Sequence, residues 1–471
     1  MNLLRSVFVA LLLFFAALPA VYSQTSPPIT LEVDASQAPK KIIHSRMVMP
    51  VKPGPLTLYF PKWIPGEHAP DGPVLNLTGL KFSANGKSIP WRRDLVDMFA
   101  FRVTIPAGVT SLDVKLDYIE PEVQSGFSAG ASATDKLVVI SWNQNLLYPG
   151  GERVQQIIYQ PTLRLPIGWK FGTALPIAQR SGVEIRFKPV SLNRLVDSPV
   201  IAGEYLRVVD VTPMEEPIHH EMDIAADSDA ALDISPKLQN DYTNLVAETG
   251  ALFGTRHYRD YHFLLTLSDH VAHFGLEHHE SDDSRVDERS LIDPNPRLTM
   301  ASLLPHEFVH SWNGKFRRPQ DLTPPYYDEP MEGNLLWVYE GLTNYLGDLL
   351  AARSGLWTPA EYRDYLAETA ADLGPGRPGR AWRPLQDTAD AAQILYFAPD
   401  EWNNWRRSTD YYPEGDLLWL EVNTTIRSVT HGQKSLKDFC HLFYGGPNQG
   451  PQLKTYTFED LVNALNQVAP Y

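Results

Sequence analysis

His306-Glu307-Phe308-Val309-His310 decides how the second half of this sequence is read. On a helix, residues four apart share a face, so both imidazoles reach one ion. Glu307 stands beside them, where a carboxylate takes a proton from water on that ion. Zinc lowers the pKa of such water from ~15.7 to roughly 7, which makes a nucleophile available at neutral pH. The chemistry needs two neutral nitrogen ligands, a carboxylate base and an open coordination position. A third ligand decides whether the pattern is more than chance on a surface helix. Glu340 is the candidate, in Leu336-Trp337-Val338-Tyr339-Glu340-Gly341, because a lone Glu among Leu, Trp, Val and Tyr is costly to bury unpaired. A metal removes that cost, and Asn344, one turn later, is placed to hydrogen-bond a ligand.

Working outward, helical patterns dominate from about residue 298, over 335–353, 359–373 and 417–428. Residues 233–254 also carry apolar groups at helical spacing, and Tyr261 to Leu267 reads as one buried strand. Upstream the character differs. Between about residues 29 and 200 short runs alternate apolar and polar, as in Leu56-Thr57-Leu58-Tyr59-Phe60, with Pro and Gly between them. The clearest turn is Ser83-Ala84-Asn85-Gly86, since Asn-Gly tolerates the positive φ angles of a tight hairpin. The fold class is therefore α+β. An N-terminal antiparallel β domain over 24–204 precedes a mixed, then mainly helical, catalytic region over 205–471.

Arg5 followed by the apolar run Val7 to Leu18 and then Val21-Tyr22-Ser23 predicts a secretory signal peptide over 1–23 and an exported, periplasmic or secreted, protein. The run is short for an uncleaved anchor, which needs ~20 apolar residues. No later segment is apolar enough to cross a bilayer. A single cysteine excludes an intrachain disulfide, and Cys440 beside Phe439 and Phe443 reads as a buried thiol. The formal charge of −15 argues against a nucleic-acid partner, which needs clustered Lys and Arg.

Several stretches together resemble the glycyl aminopeptidase family of zinc metallopeptidases, relatives of the thermolysin-like enzymes. They are Trp63-Ile64-Pro65-Gly66, Gly275-Leu276-Glu277-His278-His279, His306 through Lys315, and Leu336 through Gly341. The resemblance implies a thermolysin-like catalytic region acting on peptides with one Zn2+ ion. His306, His310 and Glu340 would bind it, with Glu307 as general base. Glu277 would pair with the free α-amino group of the substrate, and Tyr412 would stabilise the oxyanion, although Tyr411 holds an equal claim from its position. Preference for small N-terminal residues, Gly or Ala, is implied by the family alone. A C-terminal PDZ domain, common in the family, would need residues beyond Tyr471.

Pro305 departs from a regular helix and predicts a kink or a helix start, and the Pro-rich stretch from Pro319 to Pro330 is expected to loop near the cleft. His257, His262, His270, His273, His278 and His279 show no spacing of a second metal site, while His278 and His279 are placed to line the cleft. Trp402 and Trp405 read as core. Two other functions stand beside the aminopeptidase: an endopeptidase on the same fold, in which Glu277 holds no amine, and a non-catalytic protein with structural zinc. The latter needs a fourth protein ligand, and none is evident.

Overall fold

Buried and exposed side chains alternate along Ile42–Pro50 and Ser111–Ile119, as strands with one face on a core require. In the computed structural model, which describes residues 27–374, 377–399 and 401–470, these two strands pair at the middle of a nine-stranded sheet. The signal peptide read over 1–23 lies outside the described residues. The Asn-Gly turn forms as read: Asn85 and Gly86 have φ of 52° and 74°, and Ala84 faces Lys87 across the hairpin. One pairing departs from the antiparallel expectation. Ile29–Asp34 runs parallel to Ile158–Arg164. A parallel neighbour so distant in sequence is joined by a long crossover, which leaves no turn signal between the two strands. Leu31, Ile43, Met47, Val114, Leu116 and Tyr159 fill the core beneath this sheet.

The last strand of the N-terminal β sheets, Val200–Gly203, is followed at once by Tyr205–Asp210, which opens a separate, five-stranded mixed sheet. Its order continues through His220–Ala226, Tyr261–Leu267 and Ser281–Val286 to the antiparallel edge strand Phe274–Glu277. Helix Pro236–Phe253 makes the crossover between two parallel strands of the sheet. Ser235 accepts a hydrogen bond from the Leu238 amide at its start, and Gly254, with φ of 71°, ends it.

The metal helix, Pro294–His310, packs on this sheet through Leu304 and Phe308, with Trp312 just past its end. Phe308 lies 4.5 Å from the Tyr261 ring and 5.1 Å from the Phe263 ring. Pro305 neither starts nor ends this helix, which runs eleven residues ahead of it. The apolar side chains buried on either side of Pro305 offset the missing hydrogen bond, a loss of about 3 kcal/mol in an isolated helix.

Three further expectations need correction. The Pro-rich stretch docks on the β domain instead of the cleft: the Lys62 and Trp63 amides donate to Tyr327 O, the Val154 amide donates to Pro325 O, and Tyr327 joins the β-domain core. The Tyr327 ring is buried among the β-domain side chains, which removes its apolar surface from water. Trp402 and Trp405 are exposed, 70% and 54%, not core. The helical stretch over 335–353 is two helices, Leu336–Tyr339 and Gly341–Ser354, meeting at Glu340. Cys440 is fully buried.

Helix Gly341–Ser354 crosses the metal helix at Gly347, where a Cβ would lie 2.9 Å from the His306 backbone. Gly347→Ala should therefore force the two helices apart. The expected loss is about 1–3 kcal/mol, read by denaturant unfolding of the metal-free protein.

Candidate metal centre

The helical spacing of His306 and His310 brings their Nε2 atoms to 3.0 Å. Glu340 sits where helices Leu336–Tyr339 and Gly341–Ser354 join, and its Oε2 lies 3.3 Å from His306 Nε2 and 3.2 Å from His310 Nε2. A tetrahedral ion with bonds of about 2.0–2.1 Å needs donors about 3.3 Å apart, so this triangle has the size of one face of such a site. Nδ1 of His310 donates to Asn313 O at 2.8 Å, which leaves the Nε2 lone pair free for a metal. Asn313 also ties the two halves of the site: its Nδ2 donates to Val338 O at 2.9 Å and to Thr343 Oγ1 at 3.0 Å. Asn344 lines the cavity, but no side-chain hydrogen bond joins it to a ligand among the described residues.

Glu307 and Glu340 are held in opposite states. Burial, reinforced by Glu277, Asp282 and Glu340, pushes the Glu307 carboxyl well above the usual range. Burial acts the same way on Glu340, yet His310, His306 and His68 outweigh it and hold that carboxyl well below. An ionised carboxylate among imidazoles suits a ligand, and a carboxyl able to carry a proton suits a base. Glu307 lies beneath the edge strand at Gly275, where any Cβ would overlap its carboxylate.

A cavity of about 510 Å³ opens over these groups. Glu277, at the end of the edge strand, lines it and is nearly fully buried. Its Oε1 accepts from Tyr339 OH and lies 3.7 Å from Lys315 Nζ. Burial would raise the Glu277 carboxyl, but Lys315 and His310 hold it below its ordinary value. The β domain adds Gly66 and Phe127 to the wall on this side. Gly66 has φ of 104°, and a Cβ there would lie 2.8 Å from both Glu277 oxygens. Tyr412 lines the cavity, its ring 6.1 Å from that of His306, whereas Tyr411 is fully buried with its hydroxyl unpartnered. The close approach of Gly341 to Gly415 allows this placement, because a Cβ on Gly341 would come 2.7 Å from the Gly415 Cα.

The remaining histidines divide. His273 lines the cavity, but His278 and His279 do not. They border a separate small cavity of about 40 Å³ with Asp197, Lys315 and Arg318, drawn there by Asp197, which faces His278 Nδ1 at 3.3 Å and accepts from the His279 amide. His262 belongs to a second cluster, with Glu221 and Asp223. Both carboxylates converge on its Nδ1, at 3.1 and 2.8 Å, the pattern of two acids on one protonated ring.

Residues that the sequence reading passed over are His68, Lys315, Asn313 and Tyr339. His68 stands two residues past the Trp63–Gly66 stretch, and its Nε2 lies 2.5 Å from Glu340 Oε1. A Glu-His pair between Pro65 and Pro70 in apolar surroundings was the signal available.

Two family models of the same family match the chain: the M61 glycyl aminopeptidase model over residues 299–418 and the Peptidase M61 N-terminal domain model over residues 30–204. The chain belongs to the M61 glycyl aminopeptidase family. It is a zinc metallopeptidase of the aminopeptidase kind. Solved structures agree on the fold. An aminopeptidase N family protein from Idiomarina loihiensis superposes with a TM-score of 0.75 at 20% identity, over 88% of this chain and 70% of that one. The M1 zinc metallopeptidase from Deinococcus radiodurans gives a TM-score of 0.54 at 15% identity, over 94% of this chain and 91% of that one. No curated protein matches the sequence.

The His262 cluster generates a pH prediction. Burial lowers the His262 pKa, but the hydrogen bonds its ring donates to Asp223 and Glu221 win and raise it to about 10. Since the folded value exceeds the unfolded one of ~6.5, the stabilisation is complete below that pH and is lost as the pH rises through about 10. His262→Gln should lower unfolding stability by about 2 kcal/mol at pH 6, with the difference from the parent shrinking towards pH 10.5.

Proposed function

We propose that this M61 member removes single small residues, glycine or alanine, from the N-termini of peptides. His306, His310 and Glu340 hold one zinc ion in this reading. The observation that carries it is Glu277, an ionised, buried carboxylate lining the cavity beside the metal triangle. An ammonium seated on that carboxylate fixes the chain end, so the first peptide bond is the one presented for cleavage. The Gly66 wall pressed against Glu277 leaves little room for a side chain there, which supports the preference for small residues.

When bound, zinc supplies Lewis acidity to the attacking water and the scissile carbonyl. Glu307 takes the proton of the attacking water and passes it to the departing amine. Tyr412 donates its hydroxyl proton in a hydrogen bond to the oxyanion. The ionised Glu277, fixed by Tyr339 and Lys315, orients the substrate throughout. The charged and then apolar start of the sequence supports export to a periplasmic or secreted location.

A panel of aminoacyl anilides and their N-acetylated copies, with and without a chelator, tests this reading. Cleavage should require zinc, be greatest for Gly and Ala, and fail on acetylated substrates. Cleavage of blocked peptides would instead establish an endopeptidase. Glu307→Gln should abolish turnover with zinc still bound, and Glu277→Ala should lose activity towards substrates with a free amine.

Tyr412→Phe removes the oxyanion donor and should lower kcat about 10²–10³-fold with little change in KM. Tyr411→Phe, at a hydroxyl that makes no hydrogen bond, should leave kcat within a few-fold of the parent. The reverse pattern in steady-state kinetics would transfer the role to Tyr411.

A further inference from the structure

The β domain reaches the metal centre with one side chain. Residues 62–72 form a loop closed at its neck, where the Gly72 amide donates to Lys62 O at 3.2 Å. From this loop His68 projects across the domain boundary, and its Nε2 lies 2.5 Å from Glu340 Oε1. The partners are 272 residues apart in the chain, and their side chains are 3% and 2% exposed. An ionised carboxylate only accepts, so the proton of this bond sits on His68 Nε2. Glu340 then divides its two oxygens: Oε1 receives His68, while Oε2 faces His306 and His310.

His68 is itself held. The rings of Tyr339, Tyr396, Tyr411 and Tyr412 surround its imidazole, with centroids 5.9, 6.0, 6.1 and 6.4 Å away. Four rings on one imidazole restrict its rotation, which fixes the direction of the Nε2–H. Carboxylates that bind metals gain orientation from such outer hydrogen bonds, and losing one lowers metal affinity about 10–100-fold.

We propose that His68 is a positioning residue of the zinc centre, turning Glu340 so that Oε2 meets the metal, and that zinc retention therefore depends on the β domain. This rests on the reading of His306, His310 and Glu340 as ligands. A bond that merely seals the domain boundary would affect folding without affecting the metal, and that difference decides the experiment.

Zinc affinity of the full chain is measured by competition with a chelator, beside the visible spectrum of the cobalt(II)-substituted protein and the melting temperature of the metal-free protein. His68→Phe keeps the ring among the tyrosines but removes the donor. It should weaken zinc binding about 10–100-fold and alter the cobalt spectrum, while the metal-free protein melts near the parent value. His68→Gln places an amide donor near the Nε2 position and should recover most of the affinity and the parent spectrum. If His68→Phe does not fold, His68→Asn, whose amide is too short to reach Oε1, takes its place. Parent-like zinc affinity in the donorless variant would overturn the inference, as would a His68→Gln protein as weak as His68→Phe. A parent protein that holds no zinc would overturn the ligand reading and the inference with it, whereas zinc held equally by parent and His68→Phe overturns the inference alone.

Discussion

The structure turns on burying Glu340 between two imidazoles. A carboxylate removed from water is costly unless nearby groups replace its hydration. Here the replacement comes from three histidines on two separate segments: His306 and His310 of the metal helix and His68 of the β domain. Each segment must approach within hydrogen-bonding distance of one side chain, and that requirement sets the tightness of everything around it. Gly347 lets the two metal-bearing helices meet at His306, and Gly341 lets helix Pro413–Val429 close over Glu340. The break at Glu340 belongs to the same requirement, because it separates the short helix Leu336–Tyr339, whose Tyr339 lies against His310, from the helix that crosses the metal helix.

Around that pair the site holds two more glutamates, and their states follow from what each one faces. Glu307 is buried against the edge strand with other acids near it, and its carboxyl is raised well above the usual range. Glu277 is as deeply buried but has Lys315 and Tyr339 beside it and stays ionised. Lys315 in turn lies 3.0 Å from Asp197, at the end of the short helix Leu192–Val196 in the β domain. The electrostatic balance of the cavity is thus shared across the domain boundary at two places, Lys315 with Asp197 and Glu340 with His68.

The parts of this arrangement that repeat locally were legible in the sequence. Helical spacing placed His306 and His310 on one face, and the Asn85-Gly86 turn and the strand from Tyr261 to Leu267 follow from side-chain patterns a few residues long. Contacts made at long range leave no such pattern. Nothing periodic links His68 to Glu340, Lys315 to Asp197, or Tyr327 to the β-domain core. The same limit explains why the local pattern reads Ile29–Asp34 as part of an antiparallel array: its parallel partner lies beyond a long excursion of chain. Trp402 and Trp405 show the converse, aromatic residues whose composition suggests a core but whose rings stay exposed.

Residues of the β domain form part of the active cavity, so that domain is more than a support for the peptidase fold. Gly66 closes the end where Glu277 lies, Phe127 adds to the wall, and His68 reaches the metal triangle through its carboxylate. A hinge motion between the domains would break all of these contacts together, because they come from segments that share one side of the boundary. The loop 62–72 is held closed by its own neck and by Trp63 and Lys62 bonding to Tyr327, a residue carried by the catalytic region itself. Each region therefore anchors a segment in the other: the Pro-rich stretch in the β-domain core and the His68 loop in the metal centre. Such reciprocal anchoring favours a fixed geometry at the boundary, and a fixed boundary is what hydrogen bonds to a metal-binding carboxylate require.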